Sequence, residues 1–280
     1  MIVNLLTDAP KPNLALMKIS AYHKTLGDTV SLMVPDAKPD KTYGSWLFSQ
    51  SYFTDRAGGP GVDPAIRLPS EIEAMRPDYS LYPKIDYSIG YTWRWCPRHC
   101  DFCVVPRQNN ERVHRSIWDF HDTQFKKICL MNNNTFSDPQ WLDTFGEIWE
   151  AGLTVHDENG YDLRLMDEGK AEALKRTKFD GSIHFAWDLM KDETHIVEGL
   201  KLSQKYKLKA MVYVLIGYNT TREEDLYRCQ IIHDHGLDPY PMPFNRGNKS
   251  DRAFKRFICL RGYRKYKTIK EAWLNYKGMI

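Results

Sequence analysis

Residues 87–107 read YSIGYTWRWCPRHCDFCVVPR. The first six, YSIGYT, have the composition of a short buried strand. Directly after them come Cys96, Cys100 and Cys103, spaced Cys-x3-Cys-x2-Cys, which places half of the chain's six cysteines within eight residues. A strand that delivers reactive side chains at its carboxyl end is the layout of parallel α/β folds, where such groups gather at that end of the sheet.

Working outward supports this reading. Beyond YSIGYT the expected strands are KKICLM (126–131), TVHDE (154–158), SIHFAW (182–187), KAMVYVLIG (209–217) and LDPYPMP (237–243). Helical patterns alternate with them: SDPQWLDTFGEIWEAG (137–152), DEGKAEALKRT (167–177), DETHIVEGLKLSQKY (192–206) and TREEDLYRCQIIHDHG (221–236). Ser137, Asp167, Asp192 and Thr221 are placed as N-caps, Pro139 as a helix-start proline, and Thr221 with Glu224 as a capping box. Strands alternating with helices predict a parallel sheet that curls into a partial (β/α)6 TIM-like barrel.

Upstream, MIVNLLT, a helix over NLALMKISAYHKTLG, TVSLMVP and YGSWLFSQ form a smaller Rossmann-like βαβ opening, followed by the Gly-rich loop DRAGGPGVDP. The expected class is therefore α/β, organised as a front domain at 1–85, the partial barrel at 86–250, and a basic, aromatic, helical tail at 251–280.

The apolar fraction of 42% and charged fraction of 27% are those of a globular chain. No apolar run reaches the roughly 18 residues of a membrane span, and MIVNLLTDAPKP lacks the basic leader of a signal peptide. A cytoplasmic location with no membrane partner is expected. Disulfides are uncommon there, which favours metal over pairing for the clustered cysteines. The net charge of +3 is uneven: residues 251–280 hold nine Lys/Arg against Asp251 and Glu271, a balance of +7, and the remainder is −4.

Four readings compete for the cysteine run. Structural zinc would need a fourth ligand from His99, His114 or a distant Cys. A ferredoxin-type cluster would need a fourth cysteine, and Cys129, Cys229 and Cys259 lack the spacing. The third reading is a disulfide with a spare thiol, and the fourth a 4Fe-4S cluster with three thiolates and one open iron. Cys129, Cys229 and Cys259 read as small buried hydrophobes.

With Phe102 directly before Cys103, the run resembles the Cys-x3-Cys-x-aromatic-Cys motif of the radical S-adenosylmethionine superfamily, and the resemblance extends from about residue 87 to 247. It implies a 4Fe-4S cluster on Cys96, Cys100 and Cys103. It also implies S-adenosylmethionine as cofactor, reductively cleaved to a 5′-deoxyadenosyl radical that abstracts hydrogen from an unidentified substrate, nucleic acid or a modified nucleoside among the options. An external one-electron donor of flavodoxin or ferredoxin type follows. Cofactor contacts are implied for Phe102, for Asn132, Asn133 and Asn134 where many members carry Gly-Gly-Glu, and for Arg164, Asp188, Ile216 and Gly217. A non-catalytic iron–sulfur electron-transfer or metal-binding module is the alternative.

The front domain resembles a shortened cobalamin-binding domain. Its cobalt-ligating Asp-x-His-x-x-Gly loop is missing, because Ala21 and Leu26 flank His23 where Asp and Gly would stand. Cobalamin is not expected, and His23 reads as an ordinary helix residue. In the tail, Phe254, Phe257, Tyr263, Tyr266, Trp273 and Tyr276 interleave with Lys and Arg, as in single-strand nucleic-acid binders. The same pattern also suits an amphipathic helix with its rings packed inward.

Overall fold

The structure is a computed structural model that describes residues 1–34, 38–48, 54–157 and 159–276. Pro35 of the second expected strand, residues 49–50 of the third, Glu158 and Lys277 lie outside them. The chain divides into two compact units. Unit 1 is residues 1–133 with 150–153, and unit 2 is residues 134–149 with 154–280.

Unit 1 opens with β1 (Ile2–Thr7), α1 (Leu14–Thr25), β2 (Thr29–Leu32), β3 (Lys41–Ser45) and β4 (Arg56–Gly58). All pair in parallel, in the order β2-β1-β3-β4. Val3 and Leu5 are fully buried in the central strand and pack with Leu16, Ile19 and Tyr43. Asn13 caps α1 by accepting from the Leu16 N–H at 3.2 Å. His23 is buried in α1, with Nδ1 2.7 Å from Asp28 Oδ2 and Nε2 2.9 Å from the Tyr43 hydroxyl.

Two expectations here need correction. The third strand begins at Lys41 and ends at Ser45 instead of running on from Tyr43. The stretch expected to be a loop at DRAGG contains β4, paired Tyr43↔Arg56. Strand identity here comes from backbone hydrogen bonds to a neighbour, which a Gly-rich composition conceals.

After α2 (Ser70–Glu73), unit 1 ends with β5 (Ser88–Gly90) and β6 (Lys127–Leu130), paired in parallel. Ile89 and Cys129 share a core with Leu14, Met17 and Tyr79. Gly90 is required where it stands, because a Cβ there would collide with the Phe120 ring.

Unit 2 contains α3 (Trp141–Glu150), β7 (Thr154–Asp157), α4 (Glu168–Arg176), β8 (Lys178–Phe179), β9 (Ile183–Ala186), α5 (Glu193–Lys205), β10 (Ala210–Ile216), α6 (Arg222–Asp234) and β11 (Asp238–Pro243). β7 pairs in parallel with β8, and β9 and β11 flank β10 in a second parallel sheet. β10 alternates strictly, with Ala210, Val212, Val214 and Ile216 buried. The molecule is thus α/β with parallel sheets.

Asp167 caps α4, and the Thr221–Glu224 capping box on α6 is complete. Ser137 and Pro139 do not start α3, which begins at Trp141; Ser137 Oγ instead donates to the Asn134 carbonyl at 2.8 Å. Asp192 precedes α5 without a side-chain cap bond, because its carboxylate takes Arg164.

The tail forms α7 (Lys249–Cys259) and α8 (Ile269–Leu274). Phe254, Phe257, Tyr263 and Trp273 are buried in the unit 2 core, as the amphipathic alternative requires, while Tyr266 is exposed. Cys129 and Cys229 are buried as expected, and Cys259 is exposed. Among the described residues no helix is long and apolar enough to cross a membrane.

Candidate functional site

In unit 1 the cysteines ride on the segment that leaves β5. The segment is tied at its base, where the Arg115 N–H donates to the Thr92 carbonyl at 2.9 Å. Asn132, just past β6, is buried. Its Oδ1 accepts from the N–H groups of Thr92 and Trp93 at 2.9 and 3.0 Å, and its Nδ2 donates to Thr92 Oγ1 at 2.8 Å. Asn133 Nδ2 donates to the Arg94 carbonyl at 2.5 Å and to Gln108 Oε1 at 3.2 Å. These two amides clamp the segment that carries the cysteines.

Side chains reinforce the same segment. The Arg94 guanidinium donates to Glu73 Oε1 at 2.7 Å and lies over the Tyr91 ring at 4.3 Å. Lys18 Nζ meets the same Glu73 oxygen at 2.6 Å. Burial would raise the Glu73 carboxyl, but Arg94 and Lys18 together hold it below its ordinary value. Arg67 Nε donates to the Asn109 carbonyl at 2.7 Å, and the Arg112 guanidinium sits 3.8 Å from the centre of the Trp95 ring.

Cys96, Cys100, Phe102 and Cys103 are half-buried, and none of the cysteines is in a disulfide. A tight turn joins the last two cysteines of the run, with the Cys103 N–H donating to the Cys100 carbonyl at 2.9 Å, and Cys103 Sγ accepts from the Val105 N–H at 3.5 Å. Among the described residues, no group of three or more His, Cys, Asp and Glu side chains is arranged to hold a metal ion, these thiols included. The donor set itself fits an iron–sulfur cluster, which takes thiolates and is tuned by hydrogen bonds to sulfur.

In unit 2 the remaining candidates fall into two groups. Asn134 Nδ2 donates to Asp162 Oδ2 at 3.0 Å. Arg164 is held twice, through Nε to Asp162 Oδ1 at 2.7 Å and through an Nη to Asp192 Oδ2 at 2.8 Å. Burial opposes its charge, but the two carboxylates win and raise its pKa further. The guanidinium expected to grip a ligand carboxylate is thus engaged by two of the chain's own.

The second group lies at the carboxyl ends of β9 and β10. Arg228 of α6 is fully buried. It donates to the carbonyls of Trp187 (2.8 Å), Asp188 (3.0 Å) and Leu215 (2.8 Å), and to Asp225 Oδ1 (2.7 Å). Asp188 stands just past β9, and burial pushes its carboxyl up to about 6, against the pull of Arg164 and Arg228. Ile216 is fully buried at the end of β10. Gly217 has φ +70, and a Cβ there would strike Asp251 Oδ2. Asp251 in turn pairs with Arg222 at 2.5 Å.

The sequence reading missed Arg228, Asp225 and Glu73. One signal was present: Asp225 and Arg228 stand three apart on the α6 face that also carries Leu226, Cys229 and Ile232, where charges are found only if paired. No protein-family model matches the chain, and no curated protein is significantly similar to it.

Proposed function

We propose that the chain is a radical S-adenosylmethionine enzyme whose Cys96, Cys100 and Cys103 ligate a 4Fe-4S cluster. One observation carries the reading: the Cys-x3-Cys-x-Phe-Cys run leaves the carboxyl end of a parallel strand on a segment anchored by buried amides and ion pairs, its three thiols part-open and outside any disulfide. When bound, the cluster supplies the electron that splits the cofactor's sulfonium bond and so starts hydrogen abstraction from the substrate.

The chain's own residues do the rest. Asn132, Asn133 and Glu73 hold the ligand segment in one path. Phe102, half-buried, directly precedes the last ligand in the chain. Asp188, poised at about 6, presents an acceptor for sugar hydroxyls that is mostly ionised at neutral pH. The exposed backbone at Gly217 meets the adenine, and the fully buried Ile216 backs it from within the core. Arg228 fixes the strand end that bears Asp188. In this reading the parallel strands of each unit follow the strand–helix alternation of that superfamily, the location is cytoplasmic, and a flavodoxin- or ferredoxin-type protein delivers the electron.

Anaerobic reconstitution tests the reading. It expects about four Fe per chain, an electron paramagnetic resonance signal that changes when S-adenosylmethionine is added, and release of 5′-deoxyadenosine. An unchanged signal with no cleavage would leave an electron-transfer module. Zinc without iron would remove both readings.

A further inference from the structure

The loops that follow β10 and β11 in unit 2 carry an exposed Phe244, set against the half-buried Tyr218, together with exposed cations. They are joined at their base, where the Phe244 N–H donates to the Ile216 carbonyl at 3.0 Å. The Phe244 ring is 53% exposed and meets Tyr218 edge-on, with centroids 4.9 Å apart at 63°. A T-shaped contact uses one edge and one face, so ring surface remains for a further stack.

Arg246, Lys249, Arg252 and Arg256 are all exposed, and among the described residues none of the four is in an ion pair. Lys249, Arg252 and Arg256 fall at i, i+3 and i+7, which makes one stripe about 10 Å long on α7. Phe254, Phe257 and Ile258 occupy the buried side of the same helix. The acidic residue of its first turn, Asp251, is buried against Arg222 and leaves the stripe's charge uncompensated. Further along the tail, Arg261 and Arg264 are both taken by Asp238.

We propose that this rim binds single-stranded nucleic acid, with a base stacked on Phe244 and phosphates following Arg246 and the α7 stripe. A ring for base faces next to cations for the backbone is the combination that single strands require, and a duplex hides the faces the ring would use. Four of the tail's six rings, Phe254, Phe257, Tyr263 and Trp273, are core and cannot serve. The rim lies at the carboxyl ends of parallel strands, where such folds place their chemistry. That the bound strand is the substrate rests on the radical-enzyme reading; binding itself needs no cluster.

The test is fluorescence anisotropy with labelled oligo-dT and oligo-U of about 12 nucleotides, long enough to cover a groove of this class, against a matched duplex and poly-glutamate. It uses the full chain with and without its cluster, over a salt series. Binding of either single strand at least about tenfold tighter than the duplex is expected. Phe244→Ala should weaken it about tenfold while Phe244→Trp retains it. Lys249→Ala and Arg252→Ala should each lower the salt slope by about 0.7. Absence of binding, equal affinity for duplex or poly-glutamate, or indifference to Phe244→Ala would overturn the proposal. Lost binding with intact cofactor cleavage removes this inference alone, and intact binding without iron removes only the enzyme reading.

Discussion

A single carboxyl shows how burial and charge compete at the end of β9. Asp188 has two guanidinium groups in range, yet burial prevails and its pKa rises to about 6 from an ordinary 3.8. An acid whose folded pKa lies above its unfolded value binds extra protons when folded. Its contribution to stability therefore falls as pH rises through the window between the two values. Asp188→Asn removes that cost. In urea titrations the variant should match the parent near pH 4 and exceed it at pH 7 by on the order of 2–3 kcal/mol. A difference that stays flat across this range would show that the carboxyl is not held in an unfavourable setting.

At the scale of elements, the strands are short and polar side chains do the joining. β5 has three residues, so the course of the chain beyond it depends on what lies past β6. Asn132 supplies that anchor by satisfying two buried N–H groups forty and thirty-nine residues back in sequence. Asn132→Ala leaves both without an acceptor, at about 1–3 kcal/mol each. The urea midpoint should fall accordingly, and reconstituted iron should be retained less well. Unchanged iron retention and stability together would show that the cysteine-bearing segment holds its own path. Arg228 plays the matching part in unit 2, where one helix side chain ties the ends of β9 and β10.

For the whole molecule, stability and candidate chemistry draw on different residues. Cys96, Cys100 and Cys103 are half-buried and, among the described residues, do not figure in the buried clusters. Cys100→Ala should therefore abolish cluster assembly while the melting temperature of the metal-free chain stays within about 2 °C, as expected for a change within about half a kcal/mol away from the core. Global unfolding of that variant would instead mark a structural metal. The tail divides by face: its buried Phe254, Phe257 and Trp273 complete the core of unit 2, while the exposed Arg252 and Arg256 of α7 belong to the proposed binding surface.

What the sequence alone determined is what acts over a few residues. The Cys-x3-Cys-x-Phe-Cys spacing, the capping box of Thr221 and Glu224, the Asp167 cap and the alternation of β10 were all readable, because each depends on neighbours within one or two turns or one strand. Only the tertiary structure decided where the long polar side chains go. Arg164 was open to a ligand on paper and is held by Asp192, twenty-eight residues away; Asn132 turned out to be an anchor; β4 formed from a Gly-rich stretch by pairing with β3. The reason is physical. A buried polar group must find a partner, and in a parallel α/β chain that partner usually arrives on a different strand, at a distance in sequence that no local pattern encodes.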